Sequence, residues 1–559
     1  MSDKKKEFKD EKDMPLSSIS SASDDMRWNK TGSWRNVKPY YDPKTSPCIA
    51  SCPAGEKIQG YIELARQEKY EDAVRLIWEN NPFPAICGRV CYHPCMDGCA
   101  RGPFDGSVFI PAIERYLGDY AIEHGVTLST PEKLHDKKVA VVGGGPAGLS
   151  CAFFLAQKGF RVTVFESKEK LGGVLRYGIP EYRLPKDILD AELKRIQDLG
   201  VEFRPNNVIG KDVTLDDLSD YSAFFIGIGL QKSRRLGVDN ETATGVMAGL
   251  DFLEKVNTGQ KVEVGENVVV VGGGNTAMDV ARSAIRLKAS VTVIYRRTRD
   301  EMPAITDEIE EAAAEGVIFK FLATPVEVLT NNDKLTKIRC QEMELGAPDD
   351  SGRRRPVPKK DAFFNMPVDS LLVSIGEQPD SDIFESLVSI QNGLIVTDEY
   401  GKTSNQKIFA GGDVVTGAST VVNAVARGRG AAELIEAELT GAEFNPSTMK
   451  KVVAIADLNT AYFFHKDRVK MPHSEGAGGE KPFVEVNVGL TCDQVQDEMS
   501  RCYSCGICDG CDNCYVFCPD VAITRQDGVY TIDFDYCKGC LICVQECPRG
   551  VFTTESEAK

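Results

Sequence analysis

The run Cys508-x2-Cys511-x2-Cys514-x3-Cys518-Pro519 recurs as Cys537-x2-Cys540-x2-Cys543-x3-Cys547-Pro548, and this doubled cadence constrains the chain more than any other feature. Three thiolates on one short loop grip three irons of a [4Fe-4S] cube, while the fourth Cys of each run ligates the other cube. The spacing therefore predicts crossed sets. Cys508, Cys511, Cys514 and Cys547 hold one cluster; Cys537, Cys540, Cys543 and Cys518 hold the other. Structural zinc is the alternative, but zinc sites rarely follow an x2, x2, x3, Pro cadence, let alone repeat it. A route for single electrons is thus built into the polypeptide.

A chain of 559 residues has room for three or four domains. Its formal charge of -17 argues against nucleic acid as a partner, and no basic run, Lys4 to Lys6 included, exceeds three residues. The charged N-terminus lacks the apolar core of a signal peptide, and no stretch approaches the roughly 20 apolar residues of a membrane span. The expectation is a cytoplasmic protein with no membrane span. Nineteen cysteines in such a chain imply metal ligation, because a cytosolic redox poise keeps thiols reduced. They crowd into residues 48–99 and 492–547, leaving Cys151 and Cys340 as inert core residues between.

The predicted fold class is α/β, with a helical iron-sulfur domain in front and an α+β cluster module behind. Residues 1–45 are polar and read as a mobile or partner-draped arm. Residues 46–135 form the helical domain, with an amphipathic helix across Ile58 to Trp78. From residue 136 short apolar runs alternate with glycine loops and helical segments, as in doubly wound Rossmann-like domains. One nucleotide-binding unit is expected over 136–260, a second over 261–365, and a return to the first over 366–440. Residues 441–490, with Gly476 and scattered prolines, read as a connector to the cluster module over 491–559.

The first glycine loop reads Val139-Ala-Val-Val-Gly143-Gly-Gly145-Pro146-Ala147-Gly148, between a strand and a helix. Gly143 permits the turn, Gly145 lets a pyrophosphate approach the backbone, and Gly148 allows close helix-strand packing. The next strand, Val162 to Phe165, ends on Glu166, placed to accept from ribose hydroxyls. The second loop is Val268-Val-Val-Val-Gly272-Gly-Gly274-Asn275-Thr276-Ala277. Here the position equivalent to Glu166 falls on Tyr295, and Arg296, Arg297 and Arg299 follow. A carboxylate would repel a 2′-phosphate, whereas guanidinium groups bind it. The second site is expected to prefer NADP(H), with NAD(H) as the other option. The competing reading of these arginines is a solvated, salt-bridged strand end. Two loops in one chain suit a tightly bound FAD that exchanges hydride with a transient nicotinamide cofactor. The segment Ile408-Phe-Ala-Gly411-Gly412-Asp413 has the form of a second flavin contact, Asp413 facing a ribityl hydroxyl and the helix after Thr420 aiming its N-terminus at the ring.

These residues resemble the small subunit of glutamate synthase and the corresponding half of dihydropyrimidine dehydrogenase over residues 46 to about 440. The resemblance rests on Pro84-Ala-Ile-Cys87-Gly-Arg-Val-Cys91, Val108-Phe-Ile-Pro-Ala-Ile-Glu114, the first glycine loop, Leu171-Gly-Gly173-Val, Tyr177-Gly-Ile-Pro, Gly274-Asn-Thr-Ala-Met-Asp279, Tyr295-Arg-Arg and Ala410-Gly-Gly-Asp413. It implies a flavoprotein-reductase core, with Gly173 among its FAD contacts, and a cluster held by Cys52, Cys91, Cys95 and Glu114. It also matches Cys48 and Cys99 to a second N-terminal cluster, whose remaining two positions fall here on Tyr40 and Pro43, so that set lacks half its ligands and one N-terminal cluster is expected. Cys87 matches a cysteine that does not ligate. The C-terminal module resembles bacterial ferredoxin domains attached to 2-oxoacid:ferredoxin oxidoreductases or to the dissimilatory sulfite reductase pathway.

A helical face of Cys87, Cys91, Cys95 and Cys99 is broken by Gly88, Pro94 and Gly98, and His93 reads as a surface loop residue. Cys492, Cys502 and Cys505 have no assigned use. They cap a zinc site, serve another cluster register, or pack.

The leading functional expectation is an NAD(P)H-dependent FAD and iron-sulfur oxidoreductase that passes electrons to or from a ferredoxin or a larger redox enzyme. The partner classes are 2-oxoacid:ferredoxin oxidoreductase, the glutamate synthase large subunit, or a sulfite-reductase type. No protein side chain needs to act as acid, base or nucleophile. A disulfide reductase would need a Cys-x-x-Cys beside the flavin, and between residues 137 and 440 only Cys151 and Cys340 occur. A docking or electron-storage subunit with silent nucleotide sites is the reading from another class, and the intact loops argue against it.

Overall fold

The computed structural model describes residues 30–349, 352–446, 449–475, 479 and 481–557. Two parallel five-stranded sheets form its centre. The first runs in the order Ile408–Ala410, Ala223–Ile226, Lys138–Val142, Arg161–Phe165, Glu202–Arg204. Its central strands are buried beyond their first residue, as expected where helices cover both faces of a parallel sheet. The helices Pro146–Gln157 and Val421–Thr440 lie against one another, and glycine permits the contact: a Cβ on Gly428 would sit 2.2 Å from the Ala147 carbonyl oxygen.

The second sheet runs Ile318–Phe321, Ser290–Tyr295, Asn267–Val271, Ser370–Val373, Val246–Ala248, again parallel. Sheet membership moves both domain crossings. Val246–Ala248 belongs to the second unit although it precedes residue 261, and Ser370–Val373 belongs to it although it follows residue 366. Neither strand carries a glycine loop, so the pattern that marked the units passed over them. An antiparallel meander, Ala323–Asn331, Lys334–Pro348 and Arg354–Pro367, is inserted between these strands.

A buried charge network ties the two units together. Arg183 of the first donates to both carboxylate oxygens of Asp279 in the second, each at 2.9 Å, and its Nε lies 2.8 Å from Glu308. The Arg286 guanidinium sits 3.7 Å from the Tyr182 ring centroid. Buried charges persist only when paired in this way.

The helical domain comprises Pro47–Ser51, Ile58–Arg66, Tyr70–Trp78, Pro84–Val90, Pro94–Asp97, Gly102–Asp105 and Ile110–Glu123. The single helix expected over Ile58 to Trp78 is a helical hairpin. Glu68 takes φ +60°, which ends the first helix and lets the apolar faces of both turn inward. Gly88 lies within the helix Pro84–Val90 rather than breaking it; a Cβ there would meet the Arg115 backbone nitrogen at 2.5 Å, so it serves close helix packing. The break comes at His93, with φ +58°, ahead of Pro94.

The C-terminal module follows the helix Cys492–Met499 and contains the hairpin Ile523–Gln526 and Val529–Ile532. The described part of the N-terminal arm is draped over it: Val37–Tyr41 pairs antiparallel with Phe552–Ser556. Residues 1–29, and Gly476 in the connector, lie outside the described residues. Arg501 clamps the module to the helical domain, donating to Glu498, to Asp105 and to the backbone oxygens of Gly106 and Ser107. Among the described residues no helix is long and apolar enough to cross a membrane.

Candidate functional site: nucleotide grooves and thiol cages

The first glycine loop closes on its own sheet. Gly143 takes φ +103° and donates to Phe165 O at 2.8 Å, while a Cβ on Gly148 would lie 2.0 Å from Gly143 O. Glu166 is buried and holds the loop from the neighbouring strand: its Oε2 accepts from Gly144 N–H at 2.8 Å, and its Oε1 accepts from Lys168 N–H at 2.8 Å. A carboxylate offers about four acceptor positions. Capacity for a ribose hydroxyl remains.

Gly145 and Gly173 pack backbone to backbone beside an open edge of the loop. Gly173 has φ +52°, and a Cβ on it would stand 2.9 Å from Gly145 Cα, whereas a Cβ on Gly145 would meet nothing nearer than 3.9 Å. The protein alone does not demand glycine at 145. A groove that a side chain would fill suits a pyrophosphate at the start of the helix opened by Pro146 and Ala147. Gly412, at φ +76°, would place a Cβ 2.8 Å from that of Ala147, which brings the second flavin segment to the same groove. Burial pushes the neighbouring Asp413 carboxyl up to about 6. The helix Val421–Thr440 begins here, its Thr420 side chain accepting from Asn423 N–H.

The second loop differs at the places that matter for nucleotide choice. Gly272, at φ +145°, backs onto Ser374, where a Cβ would lie 2.1 Å from the carbonyl oxygen. Gly274 stays open, with Pro303 4.0 Å from a Cβ built on it. The Tyr295 ring covers Gly273 and donates its hydroxyl to Glu301 O at 2.8 Å. Asn275 accepts from Ile305 N–H at 2.9 Å, Thr276 is half-buried, and Ala277 is fully buried in the position of a third glycine. The arginines separate. Arg297 is buried, donating to Asp349 at 2.6 Å and to Arg354 O at 2.7 Å, so it braces the meander instead of facing the loop. Arg299 pairs with Glu310 at 3.2 Å. Arg296 is exposed and, among the described residues, has no ion-pair partner.

The cysteines gather into separate groups, all of them free thiols. Cys518, Cys537, Cys540 and Cys543 line one small pocket. Burial and the neighbouring thiols of Cys508, Cys547 and Cys511 push Cys514 up to about 12, which places those four together. Each group contains the four cysteines of one expected crossed set. In the helical domain, burial and then Cys91, Cys52 and Glu114 raise the Cys95 thiol. Glu114 is raised by its burial and by Glu56, which the Asn81 amide bridges to it with bonds of 3.0 and 2.9 Å. Cys87 lies against Asn81 instead, its Sγ 3.8 Å from Oδ1. Glu56 and Asn81 were invisible to motif reading because neither falls in a cysteine cadence. His93 is half-buried: burial pushes it down to about 4, and among the described residues its buried Nε2 has no hydrogen-bond partner. Cys48 and Cys99 lie elsewhere, on a cavity that Cys502 and Cys505 also line. Cys492 is apart and exposed, 3.5 Å from the Tyr70 hydroxyl. Among the described residues no three His, Cys, Asp or Glu side chains converge as ligands of one metal ion. A four-iron cube calls for a wider cage, and thiols spaced around a cavity fit that requirement.

Residues 137–428, just over half of the chain, match the pyridine nucleotide-disulphide oxidoreductases. The chain belongs to that family. Residues 40–126 match dihydropyrimidine dehydrogenase domain II with its 4Fe-4S cluster, and residues 530–553 match a 4Fe-4S binding domain. This family member is therefore an NAD(P)H oxidoreductase with an FAD- and NADP-binding core and 4Fe-4S domains in its N- and C-terminal regions. It is 38% identical over 498 residues to the NADP(+)-dependent formate dehydrogenase subunit beta of Moorella thermoacetica, covering 82% of this chain and 70% of the relative. It is 35% identical over 514 residues to the NADPH-Fe(3+) oxidoreductase subunit beta of Geobacter sulfurreducens, covering 84% and 76%. The glutamate synthase [NADPH] small chain of Escherichia coli is 38% identical over 411 residues, covering 69% of this chain and 87% of that one. Among solved structures, Mycobacterium tuberculosis FprA in complex with NADPH aligns at a TM-score of 0.48 and 20% identity, over 56% of this chain and 88% of that one.

Proposed function

We propose that this oxidoreductase exchanges electrons between NADP(H) and a partner redox enzyme or ferredoxin, as the electron-transfer subunit of a cytoplasmic complex. FAD when bound supplies the conversion of a two-electron hydride into single electrons. Gly143, Gly145, Gly148, Glu166, Gly173, Gly412 and Asp413 hold it. Gly272, Gly274, Asn275 and Thr276 cradle the nicotinamide cofactor's pyrophosphate, and Arg296 meets its 2′-phosphate. Cys52, Cys91, Cys95 and Glu114 hold one cluster, and the two crossed sets hold two more.

The observation that carries this reading is a contact between flavin unit and thiol cage. Arg429, on the helix whose first turn borders Gly412, donates to Ala54 O at 2.8 Å, two residues from Cys52. The helix that starts at the flavin groove is thereby joined to the loop that follows Cys52. Relatives that are beta subunits of formate dehydrogenase and Fe(3+) oxidoreductase match 82% and 84% of the chain, against 69% for the glutamate synthase small chain. That favours a partner served through the ferredoxin module over a glutamate synthase large subunit. Under argon, NADPH should bleach the bound flavin, and the reduced protein should then reduce an added bacterial ferredoxin. A flavin that stays oxidised in excess NADPH refutes the reading.

A further inference from the structure

Cys48 and Cys99 at one end of the sequence, and Cys502 and Cys505 at the other, are each half of a ligand set. The fold closes them onto one small pocket. We propose that Cys48, Cys99, Cys502 and Cys505 together hold a further [4Fe-4S] cluster, shared between the helical domain and the ferredoxin module. This goes beyond the function proposed above and does not depend on the identity of the partner.

Each thiol is held in place by contacts that the local sequence explains. Cys48 lies on the helix Pro47–Ser51, and its Sγ is 3.2 Å from the Ser46 hydroxyl. Gly98 brings Cys99 to it: a Cβ at 98 would lie 2.1 Å from Ser51 Oγ and 2.8 Å from Pro47 O, so only glycine lets this segment close onto that helix. Cys502 follows Arg501, whose carbonyl accepts from Arg101 and whose guanidinium is clamped to residues 105–107. The Cys502 sulfur accepts from Ser504 N–H at 3.5 Å. The Cys505 carbonyl accepts from the Gln59 amide at 2.8 Å, and Gly506 O accepts from Lys44 N–H at 2.9 Å.

The remaining wall is largely apolar, with Ile58, Ile62, Val108 and Ile110. Interiors are otherwise close-packed, so a cavity ringed by four thiols is not what mere packing of small side chains leaves. Zinc would require the four sulfurs about 2.3 Å from one point, whereas these line a wall. Four thiolates in an apolar, N–H- and O–H-donating shell are the donor set of a [4Fe-4S] cube.

The position gives the site a role. Cys48-x3-Cys52 and Cys95-x3-Cys99 link it to the N-terminal cage, and Cys505-x2-Cys508 links it to the ferredoxin module. Segments of three or four residues span at most about 11 to 14 Å. The shared cluster is the step by which electrons cross between the two cage groups.

The test is iron, sulfide, zinc and FAD analysis of the full chain purified without oxygen, with electron paramagnetic resonance after reduction. The unaltered protein should hold about sixteen irons per FAD, four per cube. Cys48→Ser, in one domain, and the double variant Cys502→Ser/Cys505→Ser, in the other, should abolish the same resonance. Each should lose about four irons per FAD, keep its FAD and NADPH bleaching, and fail to reduce added ferredoxin. Cys492→Ser should lose nothing. About twelve irons in the unaltered protein, one zinc in place of four irons, or variants that keep every resonance would overturn the proposal. The count on the unaltered protein decides even if a variant does not fold. Failure of NADPH to bleach the flavin, with sixteen irons present, would instead strike the proposed function.

Discussion

Arg296→Ala should lower the preference for NADPH over NADH while leaving turnover with NADH unchanged. Among the three arginines after Tyr295, Arg297 is spent on Asp349 and the Arg354 carbonyl, and Arg299 is paired with Glu310. Arg296 is the exposed guanidinium left beside the second loop. A hydrogen bond between charged groups contributes about 1.5 to 3 kcal/mol, and solvent exposure favours the lower half of that range. At about 1.4 kcal/mol per decade, the expected rise in KM for NADPH is roughly 10- to 40-fold. NADH lacks the phosphate and should not respond. The assay is steady-state reduction of an artificial acceptor with each nucleotide, at two salt concentrations, since a screened contact weakens with salt. Arg297→Ala is the internal control: it should lower the melting temperature by removing the buried guanidinium that bonds Asp349 and the Arg354 carbonyl, with the NADPH to NADH ratio of kcat/KM intact. A ratio unmoved by Arg296→Ala, or moved by Arg297→Ala, would refute the division of labour.

Gly148→Ala forces a Cβ to within 2.0 Å of the Gly143 carbonyl oxygen, a backbone atom that cannot swing aside. Overpacking of this kind costs about 1 to 3 kcal/mol, and the variant should purify with substoichiometric FAD; full flavin content would contradict the packing argument. Arg501→Met removes the buried cation that pairs with Glu498, while Asp105 keeps Arg101, at about 3 to 5 kcal/mol for a broken buried pair. Faster protease cleavage within residues 441–490 should report the loosened module, and wild-type resistance would count against the clamp. In FAD-free protein, Asp413 keeps its proton up to about pH 6, whereas the unfolded carboxyl loses it near 3.8. The native state then binds more protons across that window, so stability should fall as pH rises from about 4 to 6 and level off above. Glu56, Glu192 and Asp279 are raised by burial into the same window, so Asp413→Asn should reduce that slope in urea titrations at several pH values; an unchanged slope would refute the contribution of Asp413.

Both glycine loops, Glu166 and the two cysteine runs were legible in the sequence, because each is a short-range pattern whose ligand-facing atoms lie within a few residues of one another. The strands Val246–Ala248 and Ser370–Val373 were not, since three or four apolar residues without a flanking loop carry no periodic signal. The arginine run shows the limit most directly. Composition put three guanidinium groups beside the nucleotide, but the inserted meander brings Asp349 under Arg297 and removes it from the site.

Sequence alone determined the chemistry of this protein: two nucleotide loops of unequal specificity and thiols spaced for four-iron cages. Those features are local, encoded where backbone reach is only a few residues. Tertiary structure decided how the cages connect. Cys48 and Cys99 meet Cys502 and Cys505 only because Gly98, Arg501 and Gln59 close the two ends of the chain onto one cavity, a long-range pairing that no spacing rule contains.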